Sequence, residues 1–493
     1  MRTGPANPER GVFRGRMARR LALLAAALLV PTGLAACESG DASPEGPGAS
    51  RSSAGQSPPS ASVSTSPSGP TPSSSPASIA PSEAIEHVVF IVKENRSFDH
   101  YFGRYPGADG ATSGETFEGE TIPLRDAPDV EPHDIAHGFS SALQSINDGR
   151  MNGFSIIGGN EELNGYRQHS RRTMPNYWAY ADRFVLADQF FTSMYGATYP
   201  EHLYVAAAQS YKIIDNKTST DSAGNYCDDP TEYSTRFRDG LTAGDVDRIL
   251  FLQDKINEPG MREELTGYWE AIRLCFDIQV LPDVLERAGI GWKYYVTADR
   301  WMNVLQSIRH VRYGPMWSKV QHPSNFLTDV RSRQLPAVSW LIPPEPYNEH
   351  PGAGVSVCAG ENWTVQQVNA VMRSPYWQST LIVVVWDDFG GYYDHVRPPR
   401  YDIMGPGPRT PALIISPWTQ SGDSPDGGSI DSTTYEFSSV LRLIEDLHGL
   451  EPMTERDRQA DPLTGALDFT SPPRMEKLIL QPRKDCPYGT DLT

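Results

Sequence analysis

The chain has 493 residues, of which 39% are hydrophobic and 10% aromatic, enough to bury a sizeable core. Its 61 acidic residues against 43 basic ones give a formal charge of −18. Such a surface argues against nucleic acid as a partner and against general adhesion to anionic lipid.

In chain order, the first segment is a basic leader carrying Arg10, Arg14, Arg16, Arg19 and Arg20, followed by an apolar run over 21–30. The run is too short, and too closely followed by Pro31 and Gly33, to span a bilayer as a helix. It ends in Leu34-Ala35-Ala36-Cys37, which resembles the lipobox of bacterial lipoproteins. The resemblance implies a signal peptide over 1–36, a lipidated Cys37, and attachment to the outer face of the cell membrane. An ordinary secretory signal with an incidental cysteine is the alternative. Removing 1–36 takes the formal charge to −23. Residues 38–83 are mostly Ser, Pro, Gly, Ala and Thr, with no aromatic. They bury too little apolar surface to offset chain entropy and are expected to form, with Cys37, a disordered tether over 37–83.

Residues 84–493 have the length of one large α/β domain. Apolar runs at 87–92, 292–296, 337–342, 381–386 and 412–415 are expected as buried parallel strands, with helical segments such as 365–372 and 437–447 between them. That alternation predicts a mostly parallel sheet covered by helices on both faces. Four cysteines, Cys227, Cys275, Cys358 and Cys486, suggest two disulfides with three possible connectivities, Cys227 with Cys275 among them. None shares a Cys-x-x-Cys spacing, so zinc ligation by them is not expected.

In such a sheet ligands collect beyond the carboxyl ends of the strands. The first strand runs into Glu94-Asn95-Arg96-Ser97-Phe98-Asp99, and the run 381–386 into Asp387-Asp388-Phe389-Gly390-Gly391. Carboxylates gathered there repel one another, and a hard divalent cation relieves the repulsion. Each motif alone also reads as a turn or a cap. Thr198 precedes a helix expected over 200–208, where its hydroxyl is either an N-cap or a nucleophile in a field favouring an alkoxide and a phosphate. Spacing does not choose between them.

The ordered pieces HVVFIVKENRSFDHYFG, LADQFFTSMYGATYPEHLY, EHP at 349–351, VVWDDFGGYYDHVRPP and TPALIISPW resemble the bacterial phosphoesterase family, which holds phospholipases C and acid phosphatases within the alkaline-phosphatase superfamily. The likeness covers about 85–450. It implies an alkaline-phosphatase-like fold, with Glu94, Asn95, Thr198, Asp387 and Asp388 as ligands of a divalent metal ion and Thr198 as nucleophile. It also implies catalytic roles for His350 and, from PHDIAHGF, His137. The expected substrate is a phosphate ester, which includes phospholipids. Three features depart from the family. Glu201 stands where Asn is usual, and Ser432 where a His often follows Val-Asp. A Thr nucleophile resembles the phospholipase branch, whereas Asp387-Asp388 resembles the acid phosphatase branch. His395 is either a further ligand or a support for the Asp loop, while His87, His100 and His310 are expected to be structural or exposed. The stretch 216–275 matches no family block and is either a cap over the site or a surface insertion. A competing function class is a non-catalytic, cell-surface solute-binding lipoprotein on the same scaffold.

Overall fold

The computed structural model describes residues 79–218, 225–484 and 486. The leader, Cys37 and nearly all of the tether lie outside the described residues. Residues 79–83, expected to belong to the tether, already contact the domain: the Ile79 amide donates to the Phe469 carbonyl at 3.0 Å, and Ile79 packs on the core.

Eight strands form the central sheet: β1 (His87–Lys93), β2 (Val185–Ala187), β3 (Trp292–Tyr295), β4 (Val320–Gln321), β5 (Val338–Leu341), β6 (Thr380–Trp386), β7 (Ala412–Ile415) and β8 (Ser429–Asp431). Their order is β4-β3-β5-β1-β6-β7-β2-β8. The sheet is mostly parallel, as the alternation of runs predicts, but β7 is antiparallel to both β6 and β2. The expectation of a parallel strand at 412–415 is therefore corrected. Both its neighbours bury all their residues, and a uniformly apolar run carries no mark of strand direction.

Alternate residues of the central strands enter two different cores. Val88, Phe90, Val383 and Val385 face one, whereas Val89, Ile91, Ile382 and Val384 face the other. Helix α1 (Thr198–Ala207) and helix α3 (Phe437–His448) cover the first face, and helix α2 (Val357–Arg373) covers the second. The run expected as a helix over 365–372 is the C-terminal half of α2, whose start is fixed by Ser356 accepting from the Ala359 amide at 3.1 Å. Two disulfides close the framework, Cys227–Cys275 and Cys358–Cys486. No helix among the described residues is long and apolar enough to cross a membrane.

Candidate active site

Strand register assembles the acidic cluster. β1 and β6 pair in parallel with Lys93 opposite Trp386, so Glu94-Asn95 and Asp387-Asp388 leave the sheet side by side. Asn95 turns the chain through the left-handed region (φ 57°), and its amide donates to Asp387 Oδ1 at 2.8 Å. The same carboxylate oxygen accepts from the Asp388 amide at 2.8 Å, which fixes the rotamer of Asp387 and aims Oδ2 at Glu94 and His202. Gly390 lets the loop close on this turn, since a Cβ there would lie 2.4 Å from the Asn95 carbonyl.

Thr198 arrives from the opposite side. It is the first residue of α1, after Gly196 (φ 73°) and Ala197 (φ 74°, ψ 118°). A positive φ is costly for alanine, and such strain is held only where surrounding contacts impose it. Here the Ala197 amide donates to the His137 carbonyl at 3.1 Å, and a Cβ on Gly196 would lie 2.3 Å from that oxygen. Both carboxylate oxygens of Glu201 accept from the amides of Ser193 and Met194 at 3.1 Å, which pins the incoming chain. Glu201, the departure from the family block, thus secures the turn and does not line the cavity. Ser432, the other departure, is exposed.

Thr198 is not the N-cap of α1. Ala197 occupies the N-cap, no side chain caps α1, and Thr198 Oγ1 donates to Asp388 Oδ2 at 3.1 Å. Glu94, Asn95, Thr198, Asp387 and Asp388 are all buried together. His137 and His350 flank them. Asn95 Nδ2, on the side chain, lies 3.1 Å from His137 Nε2 and 3.5 Å from His350 Nε2, and His137 Nε2 lies 3.9 Å from Asp388 Oδ2. Thr198, His137 and His350 open onto a cavity of about 490 Å³ walled by Asp134, Tyr199, Asp215, Asn216, Tyr226 and Trp301. Stretch 216–275 therefore supplies part of the wall, and its remaining described residues include an antiparallel pair of strands, 233–237 with 269–273.

The electrostatics are unbalanced. Burial, with the charge of Asp388, pushes the Glu94 carboxyl well above its ordinary range, and burial with Glu94 and Asp388 does the same to Asp387. Burial would lower His137, but Asp388 and Asp134 outweigh it and raise the imidazole to about 9. His350 is lowered by burial. Both oxygens of Glu94, Asn95 Oδ1 and Asp387 Oδ2 have no hydrogen-bond partner, although all are buried. Unsatisfied buried acceptors of this kind are expensive, and four of them in one cluster mark a candidate metal site. The donor set fits a divalent metal ion: carboxylates and an amide carbonyl are oxygen ligands, with a threonine oxygen beside them.

Sequence reasoning did not single out two residues. His202, one helical turn after Thr198, places its Nε2 3.5 Å from Glu94 Oε1 and 3.8 Å from Asp387 Oδ2. The i,i+4 spacing in α1, which sets both side chains on one face, is the signal that would have found it. Glu349 (φ 75°), inside the EHP block, is buried against Lys93 Nζ at 2.6 Å, the Tyr177 and Tyr101 hydroxyls at 2.6 and 2.7 Å, and Trp386 Nε1 at 2.9 Å. It anchors the turn that presents His350. His395 supports the Asp loop: it pairs with Asp99 at 2.7 Å, and Arg409 holds Asp394 at 2.9 Å. His87 and His100 bind backbone carbonyls, and His310 pairs with Asp277 and Asp283 at the surface.

The model of the phosphoesterase family matches residues 85–451, nearly the whole described domain. The chain belongs to the phosphoesterase family. It is accordingly a hydrolase of phosphoric esters. Phospholipase C B of Mycobacterium tuberculosis is 26% identical over 471 residues, covering 80% of this chain and 79% of that protein. Non-hemolytic phospholipase C of Pseudomonas aeruginosa is 26% identical, covering 79% of this chain and 58% of that protein. Non-specific phospholipase C3 of Arabidopsis thaliana is 25% identical, with 82% and 75% covered. Among solved structures, a protein in the alkaline phosphatase superfamily from Vibrio parahaemolyticus aligns over 77% of this chain and 70% of its own, with 11% identity and a TM-score of 0.32.

Proposed function

We propose that this phosphoesterase is a metal-dependent enzyme that cleaves phosphate esters through a phosphothreonine on Thr198, acting outside the cell on a lipid tether at Cys37. One observation carries the mechanistic part: the Thr198 hydroxyl is held at the start of a helix, 3.1 Å from Asp388, at the floor of a cavity flanked by two histidines. A divalent ion held by Glu94, Asn95, Thr198, Asp387 and Asp388 would polarise a phosphoryl oxygen and lower the pKa of the threonine hydroxyl.

The chain's own groups account for the rest. Asp388 takes the hydroxyl hydrogen bond, which turns a lone pair of Thr198 Oγ1 toward the cavity. The dipole of α1 favours a phosphoryl group at its N-terminus. Thr198 attacks in line, its hydroxyl proton passing to Asp388, while the P–O bond to the alcohol breaks and His137 or His350 supplies the proton the alcohol takes away. Water then attacks the phosphothreonine, giving a proton to the histidine that lost one, and the bond from phosphorus to Thr198 Oγ1 breaks with Asp388 returning its proton, so the configuration at phosphorus is retained overall. The wall carries Asp134, Asp215 and Glu345 against Lys217, which disfavours the dianion of a monoester more than the monoanion of a diester, and its aromatic side chains accept a bulky substituent. Together with the phospholipase C relatives, this favours the diesterase branch, with a phospholipid as substrate, over the acid phosphatase branch.

The extracytoplasmic setting is supported by the leader, the Leu34-Ala35-Ala36-Cys37 motif and the two disulfides. A panel of p-nitrophenyl phosphate, p-nitrophenyl phosphorylcholine and phospholipid vesicles, assayed with and without chelator, tests the proposal. Diester turnover that chelation abolishes is the expected result. Chelator-insensitive turnover, or none with any ester, overturns it.

A further inference from the structure

His202 is fully buried, and neither ring nitrogen has a hydrogen-bond partner among the described residues. An imidazole in that position has lost its water and gained nothing in exchange, a desolvation cost with no compensation. Its Nε2 faces Glu94 Oε1 at 3.5 Å and Asp387 Oδ2 at 3.8 Å. Those separations are too long for hydrogen bonds. Both oxygens are carboxylate oxygens, and both are themselves unpartnered. The three ligand atoms lie within 4.8 Å of one another. A hydrogen bond to either carboxylate would leave the other unmatched, whereas a cation among the three satisfies all of them at once.

We propose that His202 is a nitrogen ligand of the metal ion, and that it biases the site toward a first-row transition metal and away from calcium and magnesium. The inference rests on the assignment of the acidic cluster as a metal site. Carboxylate, carbonyl and hydroxyl oxygens alone suit hard ions, and an imidazole nitrogen raises affinity along the series from manganese to zinc while adding little for calcium. The fold delivers the nitrogen deliberately. Thr198 and His202 stand at i and i+4 on α1, so the helix that carries the hydroxyl carries the imidazole to the far side of the same cluster.

The test uses the purified full chain, stripped with chelator and reloaded with Mn²⁺, and electron spin-echo envelope modulation as the readout. Wild-type protein should show ¹⁴N modulation from a directly bound imidazole. The modulation should persist in a His137→Asn/His350→Asn double variant and vanish in His202→Gln. The same His202→Gln variant should bind Mn²⁺ at least about tenfold more weakly, the cost that even an outer partner of a ligand carries, with Ca²⁺ affinity little changed. Stoichiometric Mn²⁺ without ¹⁴N modulation in the wild type overturns the proposal, as does modulation lost in the double variant and kept in His202→Gln. If His202→Gln does not fold, the wild type and the double variant still decide. Absence of any bound Mn²⁺ would instead refute the metal site itself, a separate outcome.

Discussion

Two clusters, each of two buried acids and a histidine, stand beyond the same two strand ends. Glu94, His202 and Asp387 form one, and Asp99, His395 and Asp394 form the other. Each takes one acid from the segment after β1, one from the segment after β6, and a histidine. Their surroundings differ in one respect. Arg409, fully buried, donates to Asp394 at 2.9 Å, and His395 closes on Asp99 at 2.7 Å and Asp109 at 3.1 Å. No Lys or Arg pairs with Glu94 or Asp387 among the described residues, and four acceptors there stay unmatched. Composition alone does not make a metal site. What separates a structural ion network from a ligand set is whether the fold has already supplied the compensating charge.

The comparison breaks at different points under different substitutions. Thr198→Ala should reduce ester hydrolysis to background, a loss of roughly 10⁴-fold or more, with the thermal midpoint of the protein nearly unchanged. Retained turnover in a steady-state assay would remove the threonine from its role. Arg409→Met strips the structural triad of its cation and should cost about 3–5 kcal/mol of stability, read as a lowered denaturant midpoint. A variant as stable as wild type would show that Asp99 and Asp394 need no counter-charge.

Asp387→Asn should behave in the opposite way. It should lose bound metal by elemental analysis, yet in chelator it should be at least as stable as the wild type, because it removes like-charge repulsion. The sign of the pH effect follows from the raised pKa of Asp387. A group raised in the fold adds stability below its ordinary pKa, and that stability is lost as pH rises through the raised value. Chelated wild type should therefore gain stability on acidification, and Asp387→Asn should gain less. Parallel melting curves for the two would contradict this.

The smallest effect is expected at His395. Burial opposes its charge, but the hydrogen bond and charge of Asp99 raise it to about 9. Its contribution should be complete below about pH 6.5 and fade as pH rises through 9. The difference in thermal midpoint between wild type and His395→Gln should accordingly narrow from pH 6 to pH 10. A constant difference would mean that His395 acts by packing alone.

The uniformly apolar runs at 87–92 and 381–386 made the central strands legible in the sequence, and the acids that follow them made the cluster legible. Both signals are local. The direction of β7 was not, because apolar content is the same for either direction. Two disulfides could be counted, but Cys358–Cys486 joins α2 to the far C-terminus, a pairing that only the folded chain reveals. Glu349 was quoted within a motif, but its part in holding Lys93, Tyr101, Tyr177 and Trp386 depends on four separate segments meeting. His202 sat in the open four residues after Thr198. Its importance becomes visible only beside the unmatched oxygens of Glu94 and Asp387.

The central claim is that Thr198 carries the phosphoryl group in a covalent intermediate. The stereochemical course at phosphorus, followed by NMR with an isotopically chiral ester, tests it most directly. Two successive in-line displacements give net retention, which is the expected result. Net inversion would mean a single attack by water and would contradict the account.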